Sequence, residues 1–256
     1  MRRYLSTSLV MLLGLTVVLG LGYPALVAGL AALGLGHQAD GSLVYRDGKL
    51  VGSQLLGQSF TDSNGNPLPR YFQPRPSAAG SGYDASSSGA TNLGPSNALL
   101  VGFVPGVNTV GLDGSPSKTN PFATPADPAC VPTDPKGNPV TSPSRGQKYA
   151  KNPDGSYVCD PNTVPERAIA YRQLNGLAPT APVPVDAVTA SGSGLDPGIS
   201  VANALDQAPR VAQARHLPTD QVVALVRRYT AGRQWGFLGE PTVNVLELNL
   251  ALDRLS

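Results

Sequence analysis

The sequence has little charge. Only 14% of its 256 residues are Asp, Glu, Lys or Arg, whereas soluble domains have about 25%. The formal net charge is +2, so the chain lacks the basic surface that nucleic-acid binding requires, and we expect no nucleic-acid partner. Glycine and proline are instead abundant, at 29 and 25 residues, which predicts many turns.

Histidine and cysteine are also scarce, which restricts catalysis and metal binding. The two histidines, His37 and His216, show no spacing typical of a catalytic dyad. The two cysteines, Cys130 and Cys159, have no histidine or carboxylate cluster nearby, so they do not fill a zinc site. We expect a disulfide between them in an oxidising compartment, which would stabilise the fold by about 3.5 kcal/mol.

Nucleotide-binding motifs are absent as well. Gly192-Ser193-Gly194 invites such an interpretation, because it follows a predicted strand and precedes a predicted helix. The next glycine, Gly198, comes one place too late for a dinucleotide fingerprint, and no lysine follows to complete a P-loop. A turn at a strand end is the simpler interpretation.

One long apolar run stands near the N-terminus. Leu9–Leu35 contains 27 residues. As a helix it would be about 40 Å long, more than the roughly 30 Å hydrocarbon core of a bilayer. We therefore predict a transmembrane helix over residues 9–35 that is tilted, or bent at Pro24. The alternative is a cleaved signal peptide, whose apolar core of about 7–15 residues Leu9–Leu21 would fit.

Charges around this run predict the topology. Arg2 and Arg3 precede it, and the nearest charges that follow show no positive excess, so the positive-inside rule places residues 1–8 in the cytoplasm. No later window reaches about 18 apolar residues. Residues 36–256 are therefore predicted to form one extracytoplasmic domain of a single-pass protein in the lipid bilayer of the cell membrane.

Small residues recur within the run at multiples of four positions, at Gly20, Ala28, Ala32 and Gly36. Such a stripe lets a neighbouring membrane helix approach closely, so these four are candidate interface residues. Glycine and alanine are common in membrane helices in any case, and that alternative stays open.

Outside the run, the patterns predict an α+β fold. Ser42–Arg46 and Lys49–Gly52 flank Asp47-Gly48, an arrangement typical of a two-residue β-hairpin. A buried strand is expected over Pro182–Ala190. Helices are expected over Glu166–Leu177, Ser200–Arg215, Thr219–Tyr229 and Val243–Leu255, with Thr219 and Thr242 as candidate N-caps.

Residues 101–164 differ from the rest of the chain. They contain eleven prolines and few large apolar side chains. Such a composition does not build a helix or a core of its own. We predict a Pro-rich insertion that the remainder of the domain does not need.

Several blocks of residues, taken together in their order, resemble KdpC proteins, the C subunit of the bacterial Kdp potassium-transporting P-type ATPase. The blocks are Tyr23-Pro24, Gln38–Leu43, Val51-Gly52-Ser53, Leu56-Gly57-Gln58, Arg75–Ala78, Tyr83-Asp84, Gly89–Asn97, Val183–Asp186, Val188–Pro197, Pro209–Ala212 and Val243–Asp253. The resemblance leads us to expect a histidine in many members where Gln73 and Gly198 stand here. Residues 101–164 are expected to have no counterpart of similar length in typical members.

The resemblance implies an accessory subunit without catalytic residues, since the Asp-Lys-Thr-Gly-Thr motif of the ATP-hydrolysing subunit is absent here. The implied partners are that subunit and the potassium-conducting subunit, with ATP and potassium handled by the complex. The implied role is assembly, together with a higher ATP affinity of the motor. A glutamine of the family is implied to contact nucleotide, and Gln207 is the candidate, although the predicted topology places it outside and ATP inside.

The matching blocks also contain candidates for a partner interface. Gly192 and Gly194 would let backbone approach closely, and Asp186, Asp196 and Arg210 would supply charge-assisted hydrogen bonds. The alternative is that the three charges hold the domain's own turns together. Two other functions also stay open, a membrane-anchored extracytoplasmic ligand-binding domain and a hydrolase, although no nucleophile and base stand in a recognisable context.

Overall fold

The computed structural model describes residues 2–94, 97, 131, 133–140, 150–154 and 158–255. The chain divides into two compact units, Met1–Leu55 and Leu56–Ser256. Cys130 and most of residues 101–164 lie outside the described residues. The disulfide between Cys130 and Cys159 therefore stays a prediction.

The first unit begins with the apolar run, which is helical. Arg2–Val17 forms α1 and Tyr23–Gly34 forms α2, with a π-helical turn at Val18–Gly22 between them. Arg3–Gly34 is long enough to cross a bilayer, has a mean hydropathy of 2.1 and is not buried. The predicted N-terminal apolar helix is confirmed, although it begins several residues before Leu9.

The π-helical turn lies directly before Pro24. Proline has no N–H, and its ring collides with the carbonyl group four residues earlier, here that of Gly20. A wider turn relieves this conflict, and the backbone N–H of Tyr23 donates to the carbonyl of Val18, five residues back. Pro24 therefore determines where the helix becomes irregular.

A β-hairpin completes the first unit. After the short helix α3 (Gly36–Ala39), β1 (Leu43–Arg46) pairs antiparallel with β2 (Lys49–Ser53). Asp47 and Gly48 have φ values of 50° and 74°, the left-handed pair that a type I′ turn requires. The predicted hairpin is confirmed.

The second unit combines helices with a three-stranded sheet. Its helices are α4 (Val164–Asn175), α5 (Val185–Val188), α6 (Val201–Arg215), α7 (Thr219–Arg228) and α8 (Val245–Leu252), with a 3-10 turn at Ala85–Ser87. Its strands are β3 (Gly198–Ser200), β4 (Thr230–Ala231) and β5 (Thr242–Asn244). β5 lies between β3 and β4 and is antiparallel to both. The predicted α+β class is confirmed.

The core lies where α6, α7 and α8 meet this sheet. Ile199 and Val243 are partners across β3 and β5. Val211, Val222 and Leu248 come from the three helices, and all five residues are buried in one cluster. Burying a side chain of this size stabilises the fold by about 1.5–3 kcal/mol. The sheet and the helices therefore hold one another in place.

The strand predicted at Pro182–Ala190 is wrong. Pro184 instead precedes the single-turn helix α5, in which Val185 is 73% exposed. The alternating valines gave the period of a strand, but the segment has no neighbouring strand to pair with among the described residues. The carboxylate of Asp186 instead lies at the start of α6, where it accepts three hydrogen bonds.

Two helix caps were also predicted at the wrong residues. Thr219 is the first residue of α7, and Pro218 before it makes no capping hydrogen bond. Thr242 lies in β5, so α8 starts two residues later than expected. Its cap is Asn244, whose Oδ1 accepts from the backbone N–H of Glu247 at 3.1 Å. Pairing within the sheet decides where this helix begins.

Two turns of the second unit repeat one sequence and one set of hydrogen bonds. Thr61–Pro67 and Thr133–Pro139 both read Thr-Asp-x-x-Gly-Asn-Pro. In each, aspartate Oδ1 accepts from the backbone N–H groups two and four residues later, and the asparagine amide donates back to the carboxylate. The second turn lies within residues 101–164, and Val131 and Val140 beside it are buried. This segment therefore buries some of its own apolar side chains.

Candidate functional site

Gln207 lies on the buried face of α6, with only 1% of the residue exposed. Its Oε1 accepts from the backbone N–H of Gln73 (2.7 Å) and from Nη2 of Arg210 (2.8 Å). Its Nε2 donates to the carbonyl of Gln73 (3.1 Å) and to Oδ1 of Asn203 (2.8 Å). The amide therefore uses its donors and its acceptor within the chain.

Arg210, one turn further along α6, is buried as well. Its Nε donates to Oδ1 of Asn175 (2.9 Å), and its Nη1 donates to the carbonyl groups of Pro69 and Tyr71. Burial lowers the pKa of Arg210 to about 10, an effect that Tyr171 opposes. A charged side chain is tolerated at this depth because its N–H groups find acceptors.

Asp186 organises the start of α6. Its carboxylate accepts from the backbone N–H (2.7 Å) and the hydroxyl (2.8 Å) of Ser200, and from Nδ2 of Asn203 (2.9 Å). Oδ1 of Asn203 accepts in turn from the hydroxyl of Tyr171 (3.0 Å). Burial raises the pKa of Tyr171, and Asp206 and Asp186 add to the rise, so the hydroxyl stays protonated. We call this continuous set of hydrogen-bonded side chains the α6 network: Asp186, Asn203, Gln207 and Arg210.

Asp196 and Gly194 also contact the chain itself. Oδ1 of Asp196 accepts from the backbone N–H two residues later (2.9 Å), and Oδ2 pairs with Nη1 of Arg75 (3.2 Å). Gly194 has a φ of 69°, and a Cβ there would lie 2.7 Å from the backbone nitrogen of Ala79. Gly192 is exposed and has open space beside it. The contacts of Asp196 and Gly194 match the alternative in which they hold the domain's own turns, and a role at an interface stays a prediction.

A cleft of about 520 Å³ opens beside the α6 network, a volume in the range of small-molecule sites. The side chains around it include Gln73, Arg75, Tyr83, Arg167, Tyr171 and Gln207. The hydroxyl of Tyr83 donates to the carbonyl of Arg75 (2.8 Å), and burial is the main cause that raises its pKa. Nε of Arg75 is buried without a hydrogen-bond partner in the described part of the chain. Within that part, no three His, Cys, Asp or Glu side chains are grouped to hold a metal ion.

The predicted stripe of small residues is interrupted. Ala28 and Ala32 lie one turn apart on α2, but Gly20 lies in the π-helical turn. Gly36 begins α3 after Leu35, whose φ of −126° leaves the helical range. Only the two alanines therefore keep the spacing of a regular helix, and their role in helix association stays a prediction.

Sequence reasoning missed most partners of the α6 network. Asn175 and Tyr171 come from α4, and Gln73 comes from a loop 134 residues away in sequence. One signal was present: Asn203, Gln207 and Arg210 stand four and three residues apart, so they share one face of a helix. That face also carries buried alanines and valine, which shows that the polar residues are buried with them.

The sequence matches one protein family along most of its length. The model of the family "KdpC: K+-transporting ATPase, c chain" matches residues 5–127 and 144–254. The chain belongs to the KdpC family. A KdpC subunit of a potassium-transporting ATPase from Mycobacterium bovis is 42% identical over 255 residues, covering 100% of both chains. KdpC subunits from Methylococcus capsulatus and Koribacter versatilis are 40% and 38% identical over 256 residues, covering 100% and 99% of this chain and 100% and 95% of theirs.

These matches also cover most of residues 101–164, whose absence from typical members stays a prediction. Within residues 101–164 the KdpC family model leaves only 128–143 unmatched, and the Mycobacterium bovis KdpC subunit aligns along its full length. The Pro-rich segment therefore has a counterpart of similar length in these KdpC relatives. The α6 network lies within the matched part of the chain.

Proposed function

We propose that this chain is the accessory subunit of a high-affinity, ATP-driven potassium uptake complex, required for its assembly and raising the ATP affinity of the catalytic subunit. Membership of the KdpC family supports the complex. The observation that carries the accessory role is the α6 network, whose polar groups hydrogen-bond to one another and to the chain's own backbone. These side chains hold a fold together and leave little chemistry for a substrate.

The same proposal includes the topology. Residues 1–8 are cytoplasmic, residues 9–35 cross the bilayer, and residues 36–256 form the extracytoplasmic domain. The exposed apolar helix and the arginines before it support this orientation. An export-dependent reporter fused after Ser256 should be active, and activity of a cytoplasm-dependent reporter there would contradict the orientation.

The partners are the potassium-conducting subunit and the ATP-hydrolysing subunit, which handle potassium and ATP. Gln207 is buried and its amide is fully hydrogen-bonded within the chain, so we propose that it does not contact nucleotide. An effect on ATP affinity then acts through the conformational equilibrium of the catalytic subunit, which this chain biases by binding one state more tightly.

Omission of this chain during co-production with the other subunits tests the proposal. We expect loss of the intact complex, or a complex with a higher KM for ATP. Gln207→Ala should act only by destabilising this chain, whereas Gln213→Ala, exposed on the same helix, serves as the control. A complex that assembles and hydrolyses ATP normally without this chain would refute the accessory role, as would ATP hydrolysis by the purified chain that a point mutation in it abolished.

A membrane-anchored ligand-binding domain is the second candidate, because the cleft beside the α6 network has room for a small molecule. Titration of the full chain with ATP, followed by the unfolding midpoint, separates the two candidates. Saturable stabilisation that Arg75→Met removes would favour ligand binding. No shift in the midpoint favours the accessory subunit.

A further inference from the structure

A short turn of the second unit exposes large apolar side chains. Residues 232–240, which we call the aromatic turn, connect β4 to β5. Trp235 is 85% exposed and Phe237 is 68% exposed. Leu238, which follows Phe237, is 42% exposed. Trp235 is the single tryptophan of the sequence. An exposed cluster of this kind typically marks an interaction site.

The aromatic turn is held in one shape by the chain itself. Gln234 and Leu238 exchange backbone hydrogen bonds of 2.9 Å in both directions. At the base, Nη2 of Arg233 pairs with the carboxylate of Glu240 at 2.7 Å. Both ends run into the core sheet through β4 and β5. The aromatic side chains are therefore presented in a fixed arrangement.

This arrangement costs stability. Trp235 has a φ of 51°, a left-handed conformation that costs a residue with a Cβ about 1–2 kcal/mol. Glycine would connect the strands without that cost. Exposing Trp235 and Phe237 also forgoes the roughly 1.5–3 kcal/mol that burial of each side chain would contribute. Both side chains stay largely exposed, which indicates that they meet something outside this chain.

We propose that the aromatic turn docks into an apolar pocket on the extracytoplasmic surface of another subunit of the same ATPase. This inference rests on the proposed function, which supplies the partner. Exposed tryptophan on a rigid support is the residue type that dominates protein–protein interfaces, because little conformational entropy is lost on binding.

Charge favours a protein pocket over a lipid surface. The two charged side chains of the aromatic turn, Arg233 and Glu240, pair with each other, so the turn is neutral. Loops that insert into bilayers add lysine or arginine beside their aromatic residues to attract anionic lipids. The aromatic turn has no such excess.

The single tryptophan allows a direct test. The full chain is produced with 5-fluorotryptophan, which gives one fluorine resonance, and is placed in nanodiscs of phosphatidylethanolamine and phosphatidylglycerol, alone or with the unlabelled other subunits. We expect the resonance to shift and lose its solvent exposure only when the subunits are present. The same change in lipid alone would assign the turn to the membrane and overturn the proposal, as would an unchanged resonance in the assembled complex.

Variants complete the test. Trp235→Ser with Phe237→Ser should make the chain leave the complex about tenfold faster or more, while the unfolding midpoint of the chain does not fall. Ile169→Ser with Val185→Ser removes two other exposed apolar side chains and should leave dissociation unchanged. Equal dissociation of both double variants and the wild type would overturn the docking proposal alone. Failure of the wild-type chain to join any complex would overturn the proposed function and the docking proposal together.

Discussion

The α6 network and the aromatic turn distribute polarity in opposite ways. The network contains buried amides, a buried guanidinium and a half-buried carboxylate, and each is hydrogen-bonded to another group of the chain. The turn instead leaves the side chains of Trp235 and Phe237 largely exposed. Buried polar groups are stable only when they are hydrogen-bonded, whereas exposed apolar groups gain from a partner. The comparison separates residues that maintain the fold from residues that are available to another protein.

Arg210→Ala should reduce the stability of the fold more than any other change considered below. The change removes the hydrogen bonds that Arg210 donates to Asn175, to Gln207 and to two backbone carbonyls in the interior. We expect a loss of about 4 kcal/mol in the free energy of unfolding, measured by denaturant titration of the full chain in detergent. Arg228→Ala, on the exposed side of α7, is the control and should cause no measurable loss. A similar result for both variants would show that the network does not stabilise the fold.

Gly194→Ala should have the next largest effect. A Cβ at Gly194 meets the backbone of Ala79 and Gly89 at 2.7 Å and is strained by the φ of 69°. We expect a loss of about 3 kcal/mol in the free energy of unfolding. Gly192→Ala, where a Cβ meets nothing within 4 Å, should leave the thermal midpoint unchanged. If the two alanine variants were equally stable, close packing at Gly194 would not be the reason for its glycine.

Asp186→Ala should have a smaller effect than either. The change removes the acceptor of Ser200 at the start of α6 and of the Asn203 amide. Since Ser200 is half-buried and can turn to water, we expect a loss of only about 2 kcal/mol in the free energy of unfolding. Asp220→Ala, at the exposed first turn of α7, should cost much less. Equal losses would mean that only the helix dipole is affected.

Trp235→Gly should have the smallest effect on the free energy of unfolding, and the only one that increases it. Glycine relieves the left-handed strain but increases the entropy of the unfolded chain. We expect the free energy of unfolding to rise by no more than about 1 kcal/mol, measured beside Arg210→Ala under the same conditions. A marked loss of stability would show that the side chain of Trp235 supports the fold.

Local patterns allowed much of the fold to be predicted. The Asp47-Gly48 hairpin needs only two residues that accept positive φ. Helix α7 was recognised because Val222 and Val226 share its buried face. Pro182–Ala190 failed because a short run of alternating valines does not identify a strand that has no neighbour to pair with. The start of α8 was predicted too early for a related reason, because Thr242–Asn244 form β5 of the sheet.

The sequence predicted the candidate site less well than the fold. Gln207, Arg210 and Asp186 were singled out as candidate contacts for nucleotide or for a partner. Their hydrogen bonds instead reach Gln73, Asn175 and other groups of the same chain. The aromatic turn was not recognised at all, because a tryptophan in a loop has the same sequence signature whether it is buried or exposed.

The sequence by itself determined the features that depend on neighbouring residues: the apolar helix, its irregular turn before Pro24, the hairpin and the helical periodicity of α6 and α7. Tertiary structure alone decided which polar side chains are buried and which aromatic ones are exposed. Burial and exposure depend on groups that are far apart in the sequence and meet only in the folded chain. The side-chain amide of Gln207 is hydrogen-bonded to the backbone of Gln73, which is 134 residues away in the sequence. Trp235 is displayed because two strands of the core sheet hold both ends of its turn.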